Sequence, residues 1–474
     1  MKTELASRLR PNIPRILSVV GVALAALATA TGEDRSDKPN IIFFLADDMP
    51  LQSFGVYGNS TSFDTPVIDE LAKTGLTFTH CFSATWCTPS RSLLLSGKYL
   101  NTERGDHVPT FANLMREAGY KTAITGKWMV GGMRMAPDQR GFDEALLQMN
   151  FYAYWLPDLM VWNSGGYLKE INQPIDHVQK DEWAVEPGGG VGKVTRFEGE
   201  YAPDMICNFA IDFINRNAGS PFFLYYPFKL PHYPFPPTPD SEGYTEDQKL
   251  IDLYKEKELG EYILTYLERI GKVKEINIGH QEYAKDMVEY MDKMIGRVLA
   301  KLEEEGLREN TLIVFASDNG CMLPGKLNPG EEWLPGRKGK PGELGIRVPL
   351  IVNWPARTEP DRRSDDLIDF VDFLPTFVDA AGGTLPEGEE FDGVSFLPQI
   401  EGKTGTPRAW VFNSEGGAKR MVRSQRYKLY PDGRFYDMVT DVAEKNPIAE
   451  GEGSSEAEAK RRELKGALDE LNVN

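Results

Sequence analysis

Cysteine is scarce in this sequence, at four residues in 474. A chain of this length has ample apolar material for a large core and does not depend on a disulfide framework. Positive charge is also short. Lys and Arg number 53 against 71 Asp and Glu, a formal net charge of −18. Such a chain repels phosphate backbones and anionic headgroups, which argues against nucleic acid or anionic membrane as a partner. It says nothing of a small anionic substrate, because a few converging Lys and Arg can still hold one. An apolar run of membrane-spanning length is missing at the N-terminus as well: residues 16–30 make about fifteen positions where a span needs about 20. Lys2, Arg8, Arg10 and Arg15 precede that run and Gly32-Glu33-Asp34 follow it. Ala26-Leu27-Ala28 or Ala28-Thr29-Ala30 offers the small residues of a cleavage site, so residues 1–30 read as a signal peptide. The expectation is an exported protein, periplasmic or secreted, with no stable membrane insertion after cleavage. The sequence has no internal repeat.

Pro39-Asn40-Ile41-Ile42-Phe43-Phe44-Leu45-Ala46 is a continuous apolar run with β-branched and aromatic residues, the pattern of a strand buried on both faces. It ends in Asp47-Asp48. Two neighbouring carboxylates at the end of a buried strand repel unless a cation or buried donors hold them. A second such strand, residues 311–316, ends in Ser317-Asp318-Asn319-Gly320. Ligands of open α/β sheets gather outside the carboxyl ends of strands. Asp47, Asp48, Asp318 and Asn319 therefore suit one all-oxygen site, whose hard ligands favour Ca2+, with Mg2+ possible, over zinc.

Further strands are expected at residues 77–83, 121–125 and 221–228, with a helix at 110–118. The second of these opens on Gly126-Lys127-Trp128-Met129-Val130-Gly131, and the third runs into Lys229-Leu230-Pro231-His232-Tyr233-Pro234. Residues 240–305 look helical, with Tyr283, Met287, Tyr290, Met294, Val298 and Leu302 on one face. A basic loop, Gly336-Arg337-Lys338-Gly339-Lys340-Pro341-Gly342-Glu343-Leu344-Gly345-Ile346-Arg347, precedes a strand at 350–354. The acidic stretch 361–372 leads into a helix at 373–381 and carries no catalytic role. From about residue 401 short alternating runs suggest a small antiparallel sheet, closed by a helix at 457–471.

Chemistry concentrates at Cys87-Thr88-Pro89-Ser90-Arg91-Ser92-Leu93-Leu94-Leu95-Ser96-Gly97. Pro89 suits a first helical turn, Ser90 can satisfy a free N–H there, and the helix N-terminus favours negative charge at the Cys87 end. The run matches Cys, any residue, Pro-Ser-Arg, three residues, aliphatic, Ser or Thr, Gly. It resembles the signature of the formylglycine-dependent sulfatases of the alkaline-phosphatase superfamily, of arylsulfatase type.

The resemblance implies an α/β fold: an α/β/α sandwich around a large mixed sheet, with a small C-terminal α+β subdomain bearing an antiparallel sheet. The catalytic domain would span residues 38–400 and the subdomain 401–474. It implies that a maturation enzyme oxidises Cys87 to formylglycine, whose hydrate attacks sulfur. The cation would sit on Asp47, Asp48, Asp318, Asn319 and an oxygen of residue 87. Arg91 would stabilise the hydrate, Lys127 and Lys338 would hold sulfate oxygens, and His232 would protonate the leaving alcohol. Lys340 competes with Lys338 for its place. Met129 stands where the family has a histidine that contacts the formylglycine hydroxyl; His80 and His107 are the nearby candidates to replace it. With Cys87 consumed, only Cys81, Cys207 and Cys321 remain, enough for at most one bridge, and buried free thiols are an equal alternative. The implied function is hydrolysis of a sulfate ester, of a sulfated carbohydrate given export. A phosphonate or phosphate ester hydrolase and a weakly catalytic sulfated-glycan-binding relative are the alternatives. Substrate choice is assigned to loops such as 150–194, rich in Trp and Tyr.

Overall fold

Alternate side chains of one strand feed two separate cores. Strand β1 (Asn40–Ala46) is buried at every position. Ile41, Phe43 and Leu45 enter one hydrophobic cluster, and Ile42, Phe44 and Ala46 enter the other. The computed structural model describes residues 37–58, 63–100, 108–130, 139–148, 158–162, 193–196, 201–233, 235, 237–242, 281–321 and 336–471.

Strands β2 (Leu76–Phe82), β3 (Lys121–Gly126), β4 (Glu144–Gln148), β5 (Asp158–Trp162), β6 (Lys193–Arg196), β7 (Phe222–Pro227), β8 (Thr311–Ser317), β9 (Arg347–Asn353) and β10 (Arg362–Asp369) join β1 in one mixed sheet. Its order is β10-β2-β9-β8-β1-β7-β3-β4-β5-β6. The central strands β8, β1, β7, β3 and β4 run parallel, so their carboxyl ends open on the same side. Leu45 pairs with Pro227 and Ala46 with Ser317, which brings the residues after β1, β7 and β8 to one level.

Among the described residues, six helices cover the sheet: α1 (Pro66–Lys73), α2 (Cys87–Ser96), α3 (Phe111–Glu117), α4 (Ala202–Arg216), α5 (Gln281–Glu304) and α6 (Phe373–Ala380). Helices α1, α4 and α5 pack on the Ile42 and Phe44 face, and α2, α3 and α6 on the Phe43 face. Four short strands, β11 (Val411–Asn413), β12 (Met421–Arg423), β13 (Tyr427–Leu429) and β14 (Phe435–Asp437), form an antiparallel sheet closed by helix α7 (Ser455–Glu470). Ser454 caps α7, its hydroxyl accepting from the Ala457 N–H at 3.1 Å. The expected sandwich and C-terminal sheet are both present.

Two differences from the sequence expectations stand out. The acidic stretch after residue 361 forms an edge strand, β10, paired parallel to β2, before α6 begins. Its outer half alternates between half-buried and exposed positions, so backbone pairing on an edge outweighs the low strand preference of Asp. Strands β4, β5 and β6 are additional, and β5 lies inside the loop read as substrate-determining. Of the segment 240–305 expected to be helical, residues 240–242 form a turn and 281–304 form α5, and 243–280 lie outside the described residues. Of the two alternatives for the cysteines the structure has free thiols: Cys81, Cys87, Cys207 and Cys321 are all free and buried.

One buried carboxylate fastens the small sheet to the large one. Glu343, in the turn before β9, accepts from Arg423 Nε at 2.9 Å and from its Nη2 at 3.3 Å, with Arg347 Nη1 at 3.5 Å. Burial alone would raise the Glu343 pKa, but the Arg423 and Arg347 charges reverse this and hold it down to about 2. In the unfolded chain the carboxyl titrates near 4.5. As pH falls the unfolded state therefore takes the proton first; the stability due to Glu343 is full above pH 4.5 and drains away between 4.5 and about 2. Glu343→Gln is expected to cost about 3–5 kcal/mol at pH 7, because Arg423 stays buried without its anion. The acid limb of the stability curve should flatten with it. Urea unfolding across the pH range measures both; an unchanged limb would contradict the assignment.

Candidate active site

The groups of the site hang from strand ends or from the helix that follows one, except Lys338, which comes from a loop. Asp47 and Asp48 follow β1, Asp318 and Asn319 follow β8, Lys127 follows β3, His232 lies just past β7, and Cys87 opens α2. Asp48 takes a left-handed φ of 68°, a conformation that Asp tolerates better than most residues. The turn brings its N–H to Asp318 Oδ1 at 3.2 Å and its own Oδ1 to Asn319 Nδ2, which donates at 2.7 Å.

Two ammonium groups converge on the cysteine. Lys127 Nζ lies 3.5 Å and Lys338 Nζ 3.7 Å from Cys87 Sγ. Lys127 also donates to Asp47 Oδ2, and Lys338 to Asp48 Oδ1. The Lys338 loop is pinned from both sides: the Arg337 and Lys338 N–H groups donate to the Cys321 carbonyl at 3.1 and 3.2 Å, and the Gly339 N–H to the Thr85 carbonyl at 2.9 Å. Lys340 is exposed, so of the two competing lysines Lys338 is the one at the site.

Arg91 is held chiefly by Asp318. Its guanidinium is fully buried, with Nε and Nη2 donating to Asp318 Oδ2 at 3.0 and 2.8 Å and Nη1 to the Lys127 carbonyl at 2.8 Å. Asp47 Oδ2 is 3.8 Å away. Arg91 therefore ties three strand ends together.

Ligand atoms of Asp47, Asp48, Cys87 and His232 lie within 4.8 Å of one another, a group able to hold a metal ion. Asp47 Oδ1 and Asn319 Oδ1 are buried without a hydrogen-bond partner. Buried oxygens left this way are costly, and the donor set is dominated by hard oxygen, so these residues fit a divalent cation. Asp318 is more committed, its oxygens engaged by Arg91 and by the Asp48 N–H.

Burial acts on every charge here. It would raise the Asp47 pKa, but Lys127, His232, Arg91 and Lys338 overturn it and hold the carboxylate well below the usual range. Asp318 moves the other way, pushed up by burial and by the Asp47 charge beside it. Burial pushes the Cys87 thiol up to about 12. His232 is pulled down to about 4 by burial and by Lys127, so its imidazole is neutral at neutral pH. Its Nδ1 is held by the Tyr233 carbonyl, and its Nε2 faces Asp48 Oδ2 at 3.8 Å. Lys229 is buried two residues after β7, and burial with the Lys127 charge lowers its pKa well below the ordinary lysine value.

Met129 is half-buried at a φ of 44°. His80 does not replace the family histidine. Its ring sits on β2, with Nδ1 at 2.7 Å from Thr79 Oγ1, and His107 lies outside the described residues. Sequence reasoning also missed a brace from the small sheet. Glu415 Oε2 accepts from the Thr85 N–H at 2.5 Å, and Lys419 Nζ donates to Thr85 Oγ1 at 3.0 Å. A pair 330 residues apart carries no local signal.

Parallel strand ends gather carboxylates, lysines and a histidine around one buried residue at a helix start, and the similarity to known proteins makes this the site of a hydrolase of the alkaline-phosphatase superfamily. The chain belongs to the sulfatase family, whose model matches residues 39–383, and it is a sulfuric ester hydrolase. Residues 342–473 match the model of the N-sulphoglucosamine sulphohydrolase C-terminal region. The chain is 28% identical to an N-acetylglucosamine-6-O-sulfatase of Bacteroides thetaiotaomicron, over 96% of this chain and 90% of that one. It is 29% identical to an ulvan-active sulfatase of Formosa agariphila, over 85% and 68% respectively. A solved structure of a protein in complex with its substrate D-glucosamine-2-N,6-O-disulfate is similar at a TM-score of 0.66 and 27% identity, covering 92% of this chain and 97% of that one.

Proposed function

We propose that the chain is an exported enzyme that hydrolyses a sulfate ester of a carbohydrate, using formylglycine formed from Cys87 by a maturation enzyme and one bound Ca2+, with Mg2+ as the alternative ion. The observation that carries this reading is the convergence of Lys127 and Lys338 on Cys87 Sγ, beside the unpartnered oxygens of Asp47 and Asn319. The carbohydrate comes from the names of the relatives, and export from the N-terminal pattern of charge, apolar run and small residues.

A thiol pushed up to about 12 is protonated at neutral pH and a poor nucleophile, which supports conversion of the side chain. Formylglycine supplies a hydrate hydroxyl to attack sulfur, and the cation polarises the sulfate. Asp47, Asp48, Asp318 and Asn319 would hold that cation, with Arg91 fixing Asp318. Lys127 and Lys338 bind sulfate oxygens once Asp47 and Asp48 are neutralised otherwise. With Nδ1–H donating to the Tyr233 carbonyl, neutral His232 presents a bare Nε2 to the site, so the ring must take up a proton there before it can pass one to the oxygen that leaves as the S–O bond to the alcohol breaks.

Chelation is expected to remove activity and lower the melting temperature, and added Ca2+ to restore both at about one ion per chain. Full activity in a preparation shown to be metal-free would overturn the cation. An unmodified thiol at residue 87 in fully active protein, found by peptide mass spectrometry, would overturn the formylglycine.

Met129 carries a separate prediction. A thioether cannot accept a proton, and general-base help is typically worth about 10²- to 10⁴-fold. Attack should proceed while release lags, giving a burst of phenol from an aryl sulfate followed by slow turnover. Histidine is enriched in the left-handed backbone region that Met129 occupies, so Met129→His is tolerated there and should raise the steady rate with little change in burst amplitude. No burst, and no gain from the substitution, would show that Met129 limits nothing.

A further inference from the structure

An exposed indole borders the reactive residue. The large apolar side chains exposed among the described residues are Trp86, Val394 and Val439, so Trp86 is the aromatic one, and it directly precedes Cys87. Trp86 is 44% exposed where Cys87 is 5% exposed. A ring left in water at the mouth of a binding site gives up hydrophobic stabilisation that an occupant can return.

The ring is held by its edge and its charges. A Cβ on Gly339 would fall 2.7 Å from Trp86 Cζ2, so only glycine lets the Lys338 loop lie against the indole. Lys338 Nζ is 5.5 Å from the ring centroid and Lys419 Nζ 5.6 Å, both within cation–π reach. Lys419 donates to Thr85 Oγ1 at 3.0 Å and to Glu415 Oε1 at 3.1 Å, and an ammonium has a third donor. Its side chain is about a third exposed. The exposed indole thus has beside it both a lysine that touches Cys87 Sγ and a second lysine anchored by the small sheet.

We propose that Trp86 and Lys419 form a carbohydrate subsite beside the sulfate position. The indole carries the C–H face of a pyranose ring, whose weakly positive hydrogens suit the negative π-face. Lys419 meets a second anionic substituent, a carboxylate or another sulfate, on that ring or its neighbour. The substrate class is then a polyanionic glycan rather than a neutral sugar bearing one sulfate. The inference rests on the carbohydrate reading above and narrows it.

The test compares the mature wild-type enzyme with Trp86→Ala, Trp86→Tyr and Lys419→Gln on three substrates: an aryl sulfate, a monosulfated monosaccharide and a monosulfated disaccharide that contains a uronate. Trp86→Ala should lower kcat/KM on the sugars by about tenfold, mainly through KM, and Trp86→Tyr should recover most of it. Lys419→Gln should lower the preference for the disaccharide over the monosaccharide by about threefold, the scale of one exposed charge pair, and weaken its dependence on salt. If the wild type cleaves sulfated sugars and Trp86→Ala cleaves them equally well, the subsite is wrong while the carbohydrate reading stands. If the wild type cleaves the aryl sulfate alone, the carbohydrate reading itself fails. A loss confined to kcat on every substrate, aryl sulfate included, means that the indole only props Lys338, and that also overturns the subsite.

Discussion

Cys87→Ala is expected to lower sulfate ester hydrolysis by about 10⁶-fold, the scale of deleting a covalent nucleophile, while leaving the fold intact. The side chain is small, and its Sγ faces Lys127 Nζ and Lys338 Nζ. The start of α2 is held instead by the Ser90 N–H on the Trp86 carbonyl at 3.1 Å and by Ser90 Oγ, which accepts from the Ala84 N–H at 3.1 Å. The melting temperature should therefore move by no more than about 4 °C, the shift produced by about 1 kcal/mol in a large domain. Lys127 and Lys338 remain in place, so a sulfated inhibitor should still bind. Steady-state kinetics and thermal melting of the variant measure both effects. Activity within tenfold of the wild type would remove Cys87 from the chemistry.

Arg91→Ala should cost both stability and activity. The guanidinium serves Asp318, the Lys127 carbonyl and, at 3.8 Å, Asp47, with no exposure to water. Its removal leaves two carboxylates buried beside each other, which is expected to cost about 3–5 kcal/mol and about 10 °C in melting temperature. Activity should fall with it, because Asp318 and Lys127 lose their common anchor. Arg91→Lys should not restore either property, since one ammonium cannot present the planar fork that reaches both Asp318 and the Lys127 carbonyl. Pairing Arg91→Met with Asp318→Asn should lose less stability than the two single losses together, because the pair leaves no orphaned charge. A strictly additive double variant would mean that the two side chains do not depend on each other.

The site was legible where its residues follow local patterns. Asp47-Asp48 and Asp318-Asn319 each end an apolar run, and a strand buried on both faces announces itself in a few consecutive residues. Cys87 stands before Pro89 and Ser90, which mark a helix start by their own backbone chemistry. Strand β10 was not legible, because an edge strand of Arg, Ser and Asp is made by its pairing with β2 and not by its composition.

Sequence alone therefore determined which chemical groups are present and which strand or helix end each one occupies, because those follow from patterns only a few residues long. The tertiary structure decided which charges meet. It set Arg91 on Asp318, chose Lys338 over Lys340, and left Asp47 Oδ1 and Asn319 Oδ1 without partners. It also exposed Trp86 within cation–π reach of Lys338 and Lys419. The partner of a buried charge is set by desolvation and by what packs against it from distant segments, and no short stretch of chain contains that information.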